Sequence, residues 1–308
     1  MQRESFVRGP AKIVFDAGGG TPYSFQSKGG VQVKWNYSTF NIDTDLGGKT
    51  DERIADRLVE ITFTPSGDMA NMAQLFPLSN NGNFIGSSVF GPTDKILRIA
   101  GADGRKLEFT NAAITKMPEL QLGATKTAFG PVTFTALGQE NTDWATANSM
   151  FTEAALAWAA PAAETIITEP YAVAWGAAPW DAIETADGVR VSFNAQLQPV
   201  QTDKHGTVDY TYGTLEVSAR FQPLGISLAQ LTAKLDGIVQ GVGAKRGKSI
   251  KTATDFVVTG SGLVLTLKKA ALKNPSLQWG TVSPRIPEIE LVATLGAVGD
   301  PLFIVAEP

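Results

Sequence analysis

The chain of 308 residues contains no cysteine and only one histidine. The first absence excludes disulfide staples and thiolate chemistry, and with a single imidazole it nearly excludes zinc, leaving oxygen ligands for any metal. No apolar run reaches the length of a membrane span, and the opening MQRESFVRGPAKIVF lacks the apolar stretch of a secretion signal. The chain is therefore expected to be made and kept in the cytoplasm. A basic excess is missing too: 26 Lys and Arg against 30 Asp and Glu give a formal charge of −4, which argues against tight binding of a phosphate backbone.

What is present points to β-structure. A hydrophobic content of 43% is ordinary, whereas 31 Gly and 17 Pro, with abundant Thr and Val, favour strands broken by frequent turns. The length suits two domains, each able to bury its own core.

The sequence repeats itself. Shifted by 158 residues, Gly30–Gly67 (GVQVKWNYSTFNIDTDLGGKTDERIADRLVEITFTPSG) lies on Gly188–Gly225 (GVRVSFNAQLQPVQTDKHGTVDYTYGTLEVSARFQPLG) without a gap, with 12 of 38 positions identical. A second block, AAITKMPELQLGATKTAFGPVTFTALG from Ala112, lies over AALKNPSLQWGTVSPRIPEIELVATLG from Ala270, so PELQLG at 118–123 answers PSLQWG at 275–280. Two blocks in one order at nearly one offset indicate a duplication, with domains over 1–139 and 171–308. The intervening 140–170 reads as a linker in which Asn148 caps a short helix through Ala159 and Pro161 stops it.

Each repeat has the same plan. Val31, Val33 and Trp35 alternate with Gln32, Lys34 and Asn36, then Val59, Ile61 and Phe63 alternate with Glu60, Thr62 and Thr64, which predicts two strands with one dry face each. The second repeat keeps this period with Val189, Val191 and Phe193, then Val217, Ala219 and Phe221. Between the strands, 40–57 and its counterpart read as long loops, a length that usually carries a function. Asp68 and Ser227 are expected helix caps, the Asp103-Gly104 pair signals a hairpin, and a last strand is expected at Val132–Ala136 and at Ile289–Ala293. The expected fold class is mainly β, a β-sandwich or half-barrel with one flanking helix, present in two tandem copies.

Chemistry-bearing motifs are weak. GVGAKRGKS at 241–249 ends like a phosphate loop, but Val242 stands where glycine is required, and a helical pattern precedes it where a strand belongs. NIDTDLGGK starts like a calcium loop, yet the twelfth position is Ile54. His205 has no relay partner in its loop, and Asn36-Tyr37-Ser38 has no secretion signal to make it a glycosylation site. No constellation singles out a carboxylate pair, so no enzyme activity, cofactor or metal is expected.

Across about 60–138, ITFTPSGDMANMAQLFP followed by FIGSSVFGPTDKILRIAGADGRKLEFTNAAITKMPELQLGATKTAFGPVTFTAL resembles the major tail tube proteins of long-tailed, siphovirus-type bacteriophages. The resemblance implies two tandem tail-tube domains and a structural role. Such subunits form rings that stack into a hollow tube in the virion tail, assembled in the bacterial cytoplasm. Because each chain carries two domains, a trimeric ring with pseudo-sixfold symmetry is expected. The implied partners are the chain itself, a tape measure protein, a tail terminator and tail-tip proteins, with DNA passing without being held.

The resemblance also gives roles to residues. Gln32, Lys34, Asn36, Glu60, Thr62, Arg190, Ser192, Glu216, Ser218 and Arg220 become candidates for lining the bore. Asp43, Asp45, Lys49, Asp51, Glu52, Arg53 and Arg57, with Asp203, Lys204 and Asp209, become candidates for contacts between subunits through complementary charge. An alternative is a tandem β-domain binding or adhesion module of a virion, for which Trp158, Trp175 and Trp180 are the candidate aromatics.

Overall fold

The computed structural model describes residues 11–18, 21–67, 69–79, 85–91, 95–101, 105–123, 129–137, 151–155, 171–202, 206–235, 246, 249–250, 254–260, 262–276, 278, 286–296 and 299–306. Asp68, the Asp103-Gly104 pair, Asn148, Trp158, Asp203, Lys204 and His205 lie outside these residues.

The fold is mainly β, built from antiparallel sheets. The first half places β1 (Lys12–Asp16), β2 (Tyr23–Thr44), β3 (Gly48–Ser66), a single helical turn α1 (Met69–Met72), β4 (Ile96–Ala100), β5 (Arg105–Phe109), β6 (Ala112–Lys116), β7 (Leu120–Leu122), β8 (Val132–Leu137) and β9 (Phe151–Ala155). The second half places β10 (Ala172–Ala174), β11 (Glu184–Thr202), β12 (Gly206–Leu224), α2 (Leu228–Leu235), β13 (Phe256–Thr259), β14 (Val264–Leu267), β15 (Ala271–Lys273), β16 (Ile289–Val292) and β17 (Phe303–Ala306).

Eight strands of the first half form one sheet in the order β6-β8-β3-β2-β1-β4-β5-β9. In the second half the order is β15-β16-β12-β11 in one sheet and β10-β13-β14-β17 in another, so the eight positions run in the same sequence. The halves differ at the join: β1 pairs with the start of β2 over 23–26, whereas β10 reaches the corresponding stretch through one bridge, Val173 to Ile183.

Aromatic contacts show that these sheets are layered. In a flat sheet β1 and β8 would stand roughly 14 Å apart, three strand spacings, yet the Phe15 and Phe134 rings meet at 5.0 Å. The sheet therefore folds over on itself, with Phe63 stacked on Phe134 inside. In the second half Phe221 of β12 stacks on Phe256 of β13 at 5.2 Å, joining the two sheets face to face. Val59, Ile61, Val217 and Ala219 are fully buried, as the period-two pattern requires.

Helix α2 starts with a capping box. The Gln230 N–H donates to Ser227 Oγ at 3.3 Å, and the Ser227 N–H donates to Gln230 Oε1 at 2.7 Å, satisfying amides that the first turn leaves unpaired. Leu231 then buries against the core.

Two expectations are corrected. The stretch 40–57 is not a loop: β2 and β3 stay paired from Gln26 and Ser66 out to Thr44 and Gly48, forming a two-stranded arm closed by a short turn. Threonines hold its tip, Thr44 Oγ1 accepting from the Gly47 N–H at 3.2 Å and Thr50 Oγ1 donating to the Ile42 carbonyl at 2.8 Å. Strands β11 and β12 form the matching arm out to Thr202 and Gly206. The helix expected to follow Asn148 is also corrected, since Phe151–Ala155 is a strand hydrogen-bonded to β5, as β17 is to β14.

Candidate assembly surfaces

The predicted wet faces come together as cross-strand ladders. In β2 and β3, Gln32 stands opposite Thr62 and Lys34 opposite Glu60, with the Lys34 and Glu60 charges 4.0 Å apart on exposed side chains. Thr62 shares a 3.1 Å hydrogen bond with Thr133 of β8, while Asn36 is half-buried farther out.

In the second half Arg190 stands opposite Arg220, and Ser192 opposite Ser218. Arg220 pairs with Glu290 of β16 at 3.2 Å, which offsets the two facing arginines. Lys273 lies 3.7 Å from the same Glu290 and also hydrogen-bonds Glu216. These contacts raise the Lys273 ammonium above its ordinary pKa, chiefly through the Glu216 hydrogen bond. Ser218 is the exception: it is buried and has little surface to offer.

The first arm is exposed over most of its described length. Lys49 pairs with Glu52 at 2.7 Å and Arg53 with Asp51 at 3.2 Å, holding both carboxylates below their usual range by hydrogen bonding. Asp43, Asp45 and Arg57 also face solvent. Exposed ion pairs of this kind add little to stability. Alongside them Trp35, Tyr37, Phe40, Leu46 and Ile54 are exposed, although Trp35 was expected on a dry face.

The second arm is covered by the first half of the same chain. Residues 86–91 run against it: the Gly86 N–H donates to the Tyr212 carbonyl at 2.7 Å, the Val89 N–H to the Tyr210 carbonyl at 2.8 Å, and the Tyr212 N–H to the Ser87 carbonyl at 3.2 Å. Asp209 fixes this segment by accepting from the Ser88 hydroxyl and from the Phe90 N–H. Thr207 donates to Asp56 of the first arm. Burial here pushes the Tyr212 phenol strongly upward and holds the Lys95 ammonium below its ordinary value while its Nζ donates to the Val89 carbonyl at 2.7 Å. Asp209, predicted to contact another subunit, thus binds the other half of its own chain.

Sequence reasoning did not assign β7 a partner. Leu120–Leu122, the centre of PELQLG, keeps one bridge to its own half, Leu120 to Phe129, and adds a fifth strand to the second half's sheet: Leu122 stands opposite Val189, Gln121 opposite Arg190 and Leu120 opposite Val191. The alternation of Leu-Gln-Leu and the recurrence of the motif were the available signals. Phe193, two residues along β11, lies under Phe76 of the first half at 5.0 Å and Phe303 at 4.6 Å.

Of the three aromatics named for a binding module, Trp175 and Trp180 are core residues. Trp175 and Trp180 are buried edge to face at 5.4 Å, with Lys234 Nζ 4.4 Å from the Trp175 ring and the indole N–H of Trp175 donating to the Ala270 carbonyl at 3.1 Å. Among the described residues no cluster of His, Asp or Glu could hold a metal ion, and no helix is long and apolar enough to cross a membrane. Compared with known proteins, the sequence matches no family model and no curated protein.

Proposed function

We propose that the chain is a structural virion subunit that self-assembles into stacked rings, forming the hollow tail tube of a long-tailed bacteriophage and a conduit for DNA. In this reading the halves are tandem copies of one tube domain, and three chains fill a ring of six pseudo-equivalent domains. The observation that carries it is the shared order of eight strands in the two halves, together with a strand of the first half completing the sheet of the second. Domains joined edge to edge by a backbone ladder are the natural repeat unit of a continuous β-wall. The mixed charges of the ladders, Lys34 with Glu60 and Arg220 with Glu290, suit a bore that lets phosphates pass without a strong cationic hold. Tape measure, terminator and tip proteins would meet the ring faces.

A second reading, a binding or adhesion module, is favoured by the exposed row of Trp35, Tyr37 and Phe40. Negative-stain electron microscopy at increasing protein concentration separates the two. Stacked rings or hollow tubes with three large units are expected; a persistent monomer that binds glycans would establish the module instead.

A further inference from the structure

The contact between β7 and β11 requires a particular glycine. Gly188 has φ of 78°, and a Cβ there would sit 2.2 Å from the Leu122 carbonyl oxygen and 2.8 Å from Gly123 Cα. Only a residue without a side chain lets the two backbones approach this closely.

The same glycine stands in β2, where none of the described residues meets it. Gly30, 158 residues earlier, has φ of 95° and would find nothing within 4 Å of an added Cβ. Beside it opens a cleft of about 320 Å3, lined by Lys28, Gly30, Gln32, Thr62 and Thr64. Both strands bulge at this point, between Lys28 and Val31 and between Thr185 and Val189. Among the described residues, Val31–Val33 pair with β3 on one side and with no strand on the other, since β1 reaches only 23–26. Burial follows this difference: Val189 and Val191 are buried, whereas Val31 and Val33 are half-buried. Phe193 is 7% exposed, and its counterpart Trp35 is 52% exposed.

The sequence contains one further segment of the β7 type, PSLQWG at 275–280. We propose that the Gly30–Val33 edge of one chain receives the 275–280 segment of a second copy of the chain as an added antiparallel strand. The register follows β7: Val31 opposite Trp279, Gln32 opposite Gln278 and Val33 opposite Leu277. This contact joins two different surfaces, so it propagates head to tail and closes into a ring or extends as a filament. Trp279 replaces Leu122 as the side chain next to the cleft, placing a large aromatic anchor at the interface between chains. The inference rests on the tandem-copy reading and specifies which surfaces that assembly uses.

The absence of cysteine makes the test direct. Residues opposite each other in an antiparallel pair have Cβ atoms about 4.5–5.5 Å apart, near enough for a disulfide to close with a small backbone adjustment. Gln32→Cys with Gln278→Cys in one chain is oxidised and run on a non-reducing gel beside Gln121→Cys with Arg190→Cys. The control pair is expected to close within the monomer, and the test pair to give covalent multimers that reducing agent dissolves. If the control closes and the test pair gives only monomer, the proposed edge is wrong. If wild-type tubes form while the test pair stays unlinked, this pairing falls and the tube reading stands. If the test pair links chains that form neither rings nor tubes, the pairing holds and the tube reading falls.

Discussion

The two halves of this protein share a strand order and differ in what covers them. In the second half the sheet edge is filled by β7, the aromatic Phe193 lies under Phe76, and the arm is bound by residues 86–91, all contributed by the first half. In the first half, among the described residues, Gly30 of the equivalent edge faces open space, Trp35 is half exposed and Asp51 of the arm faces solvent. The lesson is that exposure here follows position in the chain rather than residue type. Gly30 and Gly188 are the same residue, as are Asp51 and Asp209, yet each pair has one member in a contact between halves and one outside it.

The largest expected contrast is at the aromatics. Phe193→Ala empties a packed site and is expected to cost about 3–5 kcal/mol, while Trp35→Ala, at a half-exposed site, should cost about 1 kcal/mol. Thermal melts at a concentration below assembly would read this difference. Next come the glycines: Gly188→Ala drives a methyl group into the Leu122 carbonyl and is expected to cost roughly 3 kcal/mol or more, whereas Gly30→Ala bears only backbone strain of roughly 1–2 kcal/mol. Denaturant melts of the monomer measure both, and equal losses would break the comparison. The smallest losses are at the aspartates. Asp209→Ala loses the Ser88 and Phe90 hydrogen bonds at a cost of about 1–3 kcal/mol, and Asp51→Ala should leave the melt unmoved. Hydrogen exchange of residues 86–91 should rise in the first variant alone.

Much of this was readable from the sequence, and the failures have physical causes. Strand cores such as Val59, Ile61 and Phe63 announced themselves by alternation because one face is dry. The arm did not, because both of its faces meet water. Strand pairing there is held by cross-strand hydrogen bonds such as Thr39 to Glu52, which leave no hydrophobic period to detect. Strand β9 was hidden in the Ala-rich 151–160, whose composition favours helix, yet Phe151–Ala155 pairs with β5. Among the candidate sites Ser218, expected on a wet face, is buried. Asp209 contacts Ser88 of its own chain, and sequence does not distinguish such a contact from one between chains.

The position of β7 has a consequence for synthesis. A chain leaves the ribosome from its N-terminus, and its domains fold in that order. The strand that covers β11 has therefore already been made when β11 emerges, and the second half never needs to present a bare edge. Among the described residues strand β2 has no such predecessor beyond 23–26, where β1 pairs with it. The Val31–Val33 stretch emerges early, so Lys28 and Lys34 beside it would act as guards, their charges discouraging premature pairing in a crowded polysome.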